Sequence, residues 1–392
     1  MKTTKTERDR LLAVKRYSNG ERISSIARSL GRSRQWVYKW IERSKTGDEP
    51  TEWQRRRSTR PHGHAHKLSD EIVDAVKLVR LSLYNQGLFC GAQAIEWELM
   101  ALGIEPLPSL RSINRILSRE ELTHRRTGRY EPKGKKYPAL IADRVNQVHQ
   151  SDFVGPCYLS GPVRFYSLNS VDLATGRCAV SPVMGKAGQN TVDAIWSIWS
   201  RLGIPKNQQV DNELVFFGSR KHPRGMGNLI RLCLLNDVEP WFIPMAEPWR
   251  NGVVEKFNDH FRDRFLRRTE MKDAEDLRKH SLLFEQHHNS RYRYSKLNGR
   301  TPQSVLEQSG EVIRFPGSIE APKCPLPKPQ SGRYHLVRFI RSNGMLDVFG
   351  ERFQLPSETV YEYVVATIDV ASQTMKVKIE NTVIDERRYA LR

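Results

Sequence analysis

The sequence predicts a multidomain chain: two all-α three-helix modules in tandem, a mixed α/β domain, and a small antiparallel β-barrel at the C-terminal end. Three observations carry this. Apolar residues recur at helical spacing up to about residue 120 and switch to strand-like alternation near Asn146. Strand, helix and breaker signals then succeed one another to about residue 310, and after a proline-rich passage (Pro322, Pro325, Pro327, Pro329) alternation alone returns. A length of 392 residues, at roughly 150 per domain, accommodates two to four such units.

Composition bounds the partners. Lys plus Arg number 64 against 44 Asp plus Glu, a formal charge of +20, and residues 1–67 alone hold 18 of the basic residues against 7 acids. So local an excess points to a polyanionic partner. With 38% hydrophobic residues, no apolar run approaches the 18 to 20 residues of a membrane span, so no membrane association is expected. Met1 to Arg10 runs into charge instead of an apolar stretch, which is no secretory signal and predicts a cytoplasmic protein. Cys90, Cys157, Cys178, Cys233 and Cys324 lie far apart without a C-x-x-C pair, so reduced core thiols are expected.

In residues 1–45, Leu11, Leu12 and Tyr17 form the expected apolar face of a first helix, ended by Asn19-Gly20. Ile23, Ile26, Ala27 and Leu30 mark a short second helix, and Gly31 a tight turn. Ser33 is placed to cap a third helix built on Trp36, Val37, Trp40 and Ile41. That helix leaves Arg32, Arg34, Gln35, Tyr38 and Lys39 outward, residue types that pair with phosphates and base edges in a major groove. The unit reads as a helix-turn-helix with a recognition helix.

Residues 46–67 lack apolar periodicity and read as a basic linker. Arg55, Arg56 and Arg57 are expected to follow a DNA backbone or enter a minor groove. His62, His64 and His66 alternate there without a Cys or carboxylate at ligand spacing, which favours a linker over a metal site. Residues 68–125 repeat the first layout. Ser69 caps a helix facing inward through Ile72, Val73, Val76 and Val79. A second helix buries Ile95, Leu99 and Met100, Gly103 turns the chain, and Ser109 caps a third bearing Ile113, Ile116 and Leu117. Arg111, Asn114 and Arg115 form its outward, DNA-facing side, and two linked modules read a longer site than one.

The central domain, residues 140–310, opens with a strand through Val148 to Phe153, then strands at Arg164 to Val171 and Arg177 to Val183 about a Thr175-Gly176 turn. A helix around Gln189 to Leu202, a strand at Gln209 to Asp211, a helix near Asn228 to Leu235, a strand at Trp241 to Ile243 and a helix from Gly252 to about Arg267 complete the order βββ-α-β-α-β-α. Acids stand at three points of it: Asp152 at the end of strand one, Asp211 at the end of strand four, Glu255 one turn into the last helix. Three converging carboxylates repel one another unless a cation neutralises them, and oxygen ligands with open positions suit Mg²⁺ or Mn²⁺. Such a site suits phosphoryl transfer by two metal ions.

This element order resembles the ribonuclease H-like fold. Gln150-Ser151-Asp152-Phe153, Val210-Asp211-Asn212 and Pro248-Trp249-Arg250-Asn251-Gly252-Val253-Val254-Glu255-Lys256-Phe257-Asn258 resemble the three acidic motifs of DDE transposases of the retroviral-integrase superfamily. His288-Asn289-Ser290-Arg291-Tyr292 and Leu297-Asn298-Gly299-Arg300-Thr301-Pro302 are similar to the segment that closes this core in bacterial insertion-sequence transposases. Two features depart from the pattern. Asp211 and Glu255 are separated by 43 residues, more than is usual, so a loop insertion that contacts DNA is expected within Phe216 to Gly225. Glu213 stands where many members have Gly, and is either a surface spectator or an extra acid that alters metal binding. Asp172 matches a second-strand position whose acid is not usually a ligand.

The resemblance implies a transposase that binds the ends of a mobile DNA element and catalyses metal-dependent cleavage and strand transfer. It implies Asp152, Asp211 and Glu255 as catalytic residues and ligands of two Mg²⁺ or Mn²⁺ ions. It further implies double-stranded DNA (terminal repeats and target) as partner, a homo-oligomer on that DNA, and a bacterial, nucleoid-associated setting. Arg262, two turns after Glu255, is placed to hold DNA, and alternation through residues 330–392, with turns at Asn343-Gly344 and Phe349-Gly350, predicts the barrel that follows the core. The alternatives are a catalytically inert DNA-binding regulator derived from a transposase, and a structure-selective nuclease. No Walker A, G-x-S-x-G, H-E-x-x-H or complete G-x-G-x-x-G sequence supports other chemistry.

Overall fold

The computed structural model describes residues 5–46, 53, 68–123, 136–160 and 162–392, and the chain divides into two compact units, Met1–Leu68 and Ser69–Arg392. Arg55, Arg56 and Arg57 and the three alternating histidines lie outside the described residues.

In the first unit α1 (Lys5–Ser18), α2 (Ile23–Ser29) and α3 (Arg34–Lys45) close around Ala13, Ile26, Ala27, Val37 and Ile41. Ser33 caps α3, its hydroxyl accepting from the Trp36 amide at 3.1 Å. The inward stripe of α1 differs from expectation: Leu11, Leu12 and Tyr17 are exposed, while Arg10 and Ala13 are buried. The reason is Trp40, whose ring takes the Arg10 guanidinium at 4.1 Å; that stacking turns α1 so that its inward side is Arg10 and Ala13.

The second unit begins with α4 (Asp70–Asn85), α5 (Ala92–Ala101) and α6 (Leu110–Arg119), with Ser69 and Ser109 capping α4 and α6. Ile95 and Leu99 are buried as expected. Met100 is not: one step past Leu99 it falls off the narrow inward stripe and is exposed. These helices share a compact unit with the central domain, because the α4–α5 connection is seated on it. Tyr292 Oη donates to the Gly87 carbonyl at 2.5 Å, and Phe89 packs edge-on against His260, Tyr292 and Tyr294. Gly299, at φ +79, lies so close to Trp97 that a Cβ there would come within 2.5 Å of the indole.

The central sheet comprises β1 (Val148–Tyr158), β2 (Arg164–Asp172), β3 (Cys178–Val183), β4 (Asn207–Val210) and β5 (Glu239–Phe242). β1, β2 and β3 pair antiparallel, and β4 and β5 follow β1 in parallel, giving a mixed sheet in the expected element order. Alternation sends successive residues to opposite faces. Phe153, Leu168 and Ala179 pack against α7 (Gly188–Leu202) and α9 (Asn228–Leu234), while Val154, Val171 and Val180 pack against α10 (Gly252–Phe261) and α11 (Ala274–Arg291). Asp152 lies within β1 and not at its end, because a bulge between Val154 and Cys157, with Gly155 at φ +128, lets the strand bend and continue to Tyr158.

The C-terminal part also differs from the expected barrel. β6 (Arg333–Phe339) pairs in parallel with β5, and β9 (Tyr363–Asp369), β10 (Thr374–Ile379) and β11 (Thr382–Arg388) follow it, so one nine-stranded sheet runs through both regions. β7 (Met345–Val348) and β8 (Glu351–Gln354) form a separate hairpin turning at Phe349-Gly350. The ladders among the described residues do not close. An uncovered edge of β5 exposes unpaired amides and carbonyls, and β6 satisfies them. β11 was not expected; its charged alternation has the weak signature of an edge strand.

The insertion after Asp211 is anchored at both ends. It holds the short helix α8 (Leu214–Phe217), whose Phe216 and Phe217 are buried, Phe217 stacked on Phe349 at 4.3 Å. Arg224 forks onto Glu351 at 2.9 and 2.7 Å, and Tyr389 Oη donates to the Pro223 carbonyl. The segment therefore braces core and tail, and Arg220, Lys221 and His222 stay exposed on it.

Candidate active site

The acidic residues come from three neighbouring elements: Asp152 from β1, Asp211 one residue beyond β4, and Glu255 from the first turn of α10. All three are half-buried. Amides next to each acid set the geometry. Gln150 Oε1 accepts from the Val253 and Val254 amides at 3.1 and 3.2 Å, pinning the N-terminal turn of α10 to β1. Asn251 Nδ2 donates to the Ser151 carbonyl, and Gln209 Nε2 donates to the Arg250 carbonyl at 3.0 Å, so β1 and β4 both hold the turn leading into α10. Asn258 Nδ2 donates to Asp152 Oδ2 at 2.9 Å, and is itself held by Asn169. Asn212 donates to the Ile243 carbonyl and accepts from Arg338, the buried arginine of β6.

The electrostatics tie the acids together. Burial, then the negative charges of Glu213 and Glu255, push the Asp152 carboxyl up to about 6. Burial likewise pushes Asp211 up to about 6, with Glu213 and Asp152 adding to it, although the Glu213 amide donates to Asp211 Oδ1 at 3.0 Å. Glu255 is raised by burial, by Asp259 and by Asp211. Each of the three thus feels at least one of the others. Glu213 is no surface spectator: it raises both aspartates, and both of its oxygens accept from Lys186 Nζ at 2.9 Å. Lys186 also lies over the Phe153 and Tyr166 rings at 4.8 and 5.1 Å. Asp172 stays apart, its carboxylate taken by Thr175 and the Asn146 amide.

Among the described residues no three His, Cys, Asp or Glu side chains stand together in a way that could hold a metal ion. In kind the three carboxylates fit a hard divalent cation: they offer only oxygen donors, with Asp152 and Asp211 pushed toward the protonated form by burial first and then by neighbouring negative charge.

The predicted DNA-facing residues are exposed where described. Arg34, Gln35, Tyr38 and Lys39 stand clear on α3; Arg32 is exposed too, although it pairs with Asp9 at 3.3 Å and covers Trp36. Arg111, Asn114 and Arg115 are exposed on α6, and Arg262, beside Asp259 at 3.8 Å, on the helix that continues α10. Sequence reasoning missed Gln150, Gln209, Asn251, Asn258, Lys186 and Arg338. The first four carried a signal, since each is an amide adjoining an acidic motif.

Residues 4–51 match the homeodomain-like domain and residues 236–302 the integrase core domain. No curated protein matches. Similar solved structures include the HTLV-2 integrase catalytic core domain in complex with magnesium, at 17% identity over 41% of this chain and 95% of that one, TM-score 0.30. They include the BIV integrase catalytic core domain, at 16% over 42% and 95%, TM-score 0.32. A simian T-cell lymphotropic virus intasome in complex with PP2A regulatory subunit B56 gamma matches at 12% over 81% and 97%, TM-score 0.35. No described helix is long and apolar enough to cross a membrane. The two domain matches fall on the first helical module and on the third acidic motif, and they bear out the resemblance to DDE transposases: the chain carries a homeodomain-like domain and an integrase core domain.

Proposed function

We propose that this chain is a transposase that binds the ends of a mobile DNA element and catalyses metal-dependent DNA cleavage and strand transfer. The supporting observation is that Asp152, Asp211 and Glu255 stand on β1, just beyond β4 and in the first turn of α10, elements tied to one another by Gln150, Gln209 and Asn258. Asp152 and Asp211 would hold Mg²⁺ or Mn²⁺, two ions per site, with Glu255 completing the second. When bound, such ions activate water or a DNA 3′-hydroxyl and stabilise the leaving oxygen of an in-line displacement at phosphorus.

The chain's own part is positional. Gln150 and Gln209 fix the approach of α10 to the two strands, and Asn258 orients Asp152. Arg32, Arg34, Gln35, Tyr38 and Lys39 of α3, Arg111, Asn114 and Arg115 of α6, the linker arginines and Arg262 bind duplex DNA. Joining two ends takes two active sites, hence a homo-oligomer on DNA.

The test is a Mg²⁺- or Mn²⁺-dependent strand-transfer assay on DNA bearing the element's ends, comparing wild type with Asp152→Asn. Joining lost in the variant, with end binding kept, supports the transposase. Specific binding without cleavage or joining by either protein means a regulator instead.

A further inference from the structure

Between α5, α6 and the segment that follows α11 lies an open cleft of about 770 Å³. Its charge is one-sided: Arg264, Arg293 and Lys296 line it, and no Asp or Glu does among the described residues. Neutral groups hold these cations. Lys296 Nζ donates to the Leu173 carbonyl at 2.8 Å, Arg293 to the Gly299 carbonyl at 3.4 Å, and the Arg264 guanidinium sits 5.8 Å from the Tyr84 ring. Their neighbours Arg262 and Arg267, in contrast, stand against Asp259 and Asp263 at 3.8 and 2.6 Å. The opposite wall is Asn114 of α6, the helix that leaves Arg111 and Arg115 exposed.

A trough with three cations that have no carboxylate partner among the described residues, an amide on the facing wall and aromatic surface from Trp97 and Tyr294 matches a sugar-phosphate backbone. Phosphate oxygens meet the cations, and sugars meet the rings. A neutral apolar ligand would desolvate the cations without compensation.

We propose that this cleft holds the phosphodiester backbone of a DNA duplex, with Arg264, Arg293 and Lys296 of the core clamping the same duplex that α6 faces. The inference rests on the reading of the chain as a DNA-binding protein and adds a site shared by the second helical module and the core. Its mechanical basis is the seating of Gly87 and Phe89 on Tyr292 and His260, the latter on the helix that bears Glu255. The duplex is thereby held at a set position relative to the carboxylates.

The experiment measures affinity of the full chain for a random-sequence duplex across a salt series, for wild type and for a triple variant, Arg264→Gln, Arg293→Gln and Lys296→Gln. Each lost phosphate contact lowers the slope of log K against log salt by about 0.9, so the triple variant should lose roughly 2.7. In parallel, alkylation of Cys90, which lines the cleft, is followed in wild-type protein by peptide mass spectrometry, with half-buried Cys324 as reference. Duplex should slow labelling of Cys90 and not of Cys324, a readout that does not depend on the variant folding. Wild-type protein that binds no duplex overturns the DNA-binding reading and this site together. Wild-type binding with an unchanged slope in a folded triple variant, or with Cys90 labelled as fast as in free protein, overturns the cleft alone.

Discussion

Asn258 donates its amide to Asp152 across 2.9 Å, one turn after Glu255 on α10, so the acid of the central strand is oriented by the helix that carries the third acid. Asn258 is 2% exposed, and it also accepts from Asn169. Asn258→Ala leaves the buried Asn169 amide without its acceptor and frees the Asp152 carboxylate. Unfolding in urea should show a loss of about 1–3 kcal/mol. Strand transfer should fall roughly 10- to 100-fold, as for other groups that orient metal ligands, with DNA affinity unchanged. An unaltered rate would remove Asn258 from the machinery.

Asp152 and Asp211 titrate near 6 in the folded chain against an ordinary value of 3.8. Between these values the folded state binds more protons than the unfolded one, so stability falls as pH rises from about 4 through about 6 and stays lower above that. Asp152→Asn removes part of this deficit. At pH 8 the variant should be more stable than wild type by about 1 kcal/mol, a figure discounted for the partly solvated carboxylate, and at pH 4 the advantage should vanish. Calorimetry at both pH values checks the sign.

On the proposed site Mg²⁺ would bind the folded state, and so should raise the melting temperature of wild type at pH 8 in proportion to the logarithm of its concentration. Asp152→Asn and Asp211→Asn should respond little. At pH 5, where both aspartates are protonated, the wild-type shift should disappear; an equal shift at both pH values would place the ion elsewhere.

Glu213 raises both aspartates and is itself paired with Lys186. Glu213→Gln should lower the titration midpoints of Asp152 and Asp211, followed by carboxyl NMR. Lys186→Met, which leaves the Glu213 charge unpaired, should raise them. Midpoints that stay put in both variants would return Glu213 to the role of bystander.

Arg338, buried in β6, donates to the Ile243 and Asp347 carbonyls and to Asn212 beside Asp211. The tail is therefore expected to be inseparable from the core. A chain ending at Pro329 uncovers the edge of β5 and should aggregate, as light scattering would show; a soluble, cooperatively unfolding truncation would mean that the tail is an independent domain. Arg338→Met should cost about 3 kcal/mol or more through the acceptors it leaves unpaired.

Local patterns in the sequence were sufficient for the helices, their caps and most strands. Ser33, Ser69 and Ser109 cap where their spacing from apolar residues places them, because a cap is a contact between residues three apart. The three candidate acids were singled out for a similar reason, each embedded in its own short motif, and the structure places them on β1, just beyond β4 and in the first turn of α10. What sequence could not supply depends on contacts between distant residues. Arg10 replaced Leu11 and Leu12 in the first core because Trp40 lies opposite, and Phe216 and Phe217 anchored the insertion because Phe349 is there to receive Phe217. Glu213 became part of the acidic site because Lys186 arrives from the loop after β3, and the tail joined the core because β5 had an open edge for β6. In each case the deciding partner lies tens to more than a hundred residues away, where periodicity carries no information and only the packed structure brings the two together.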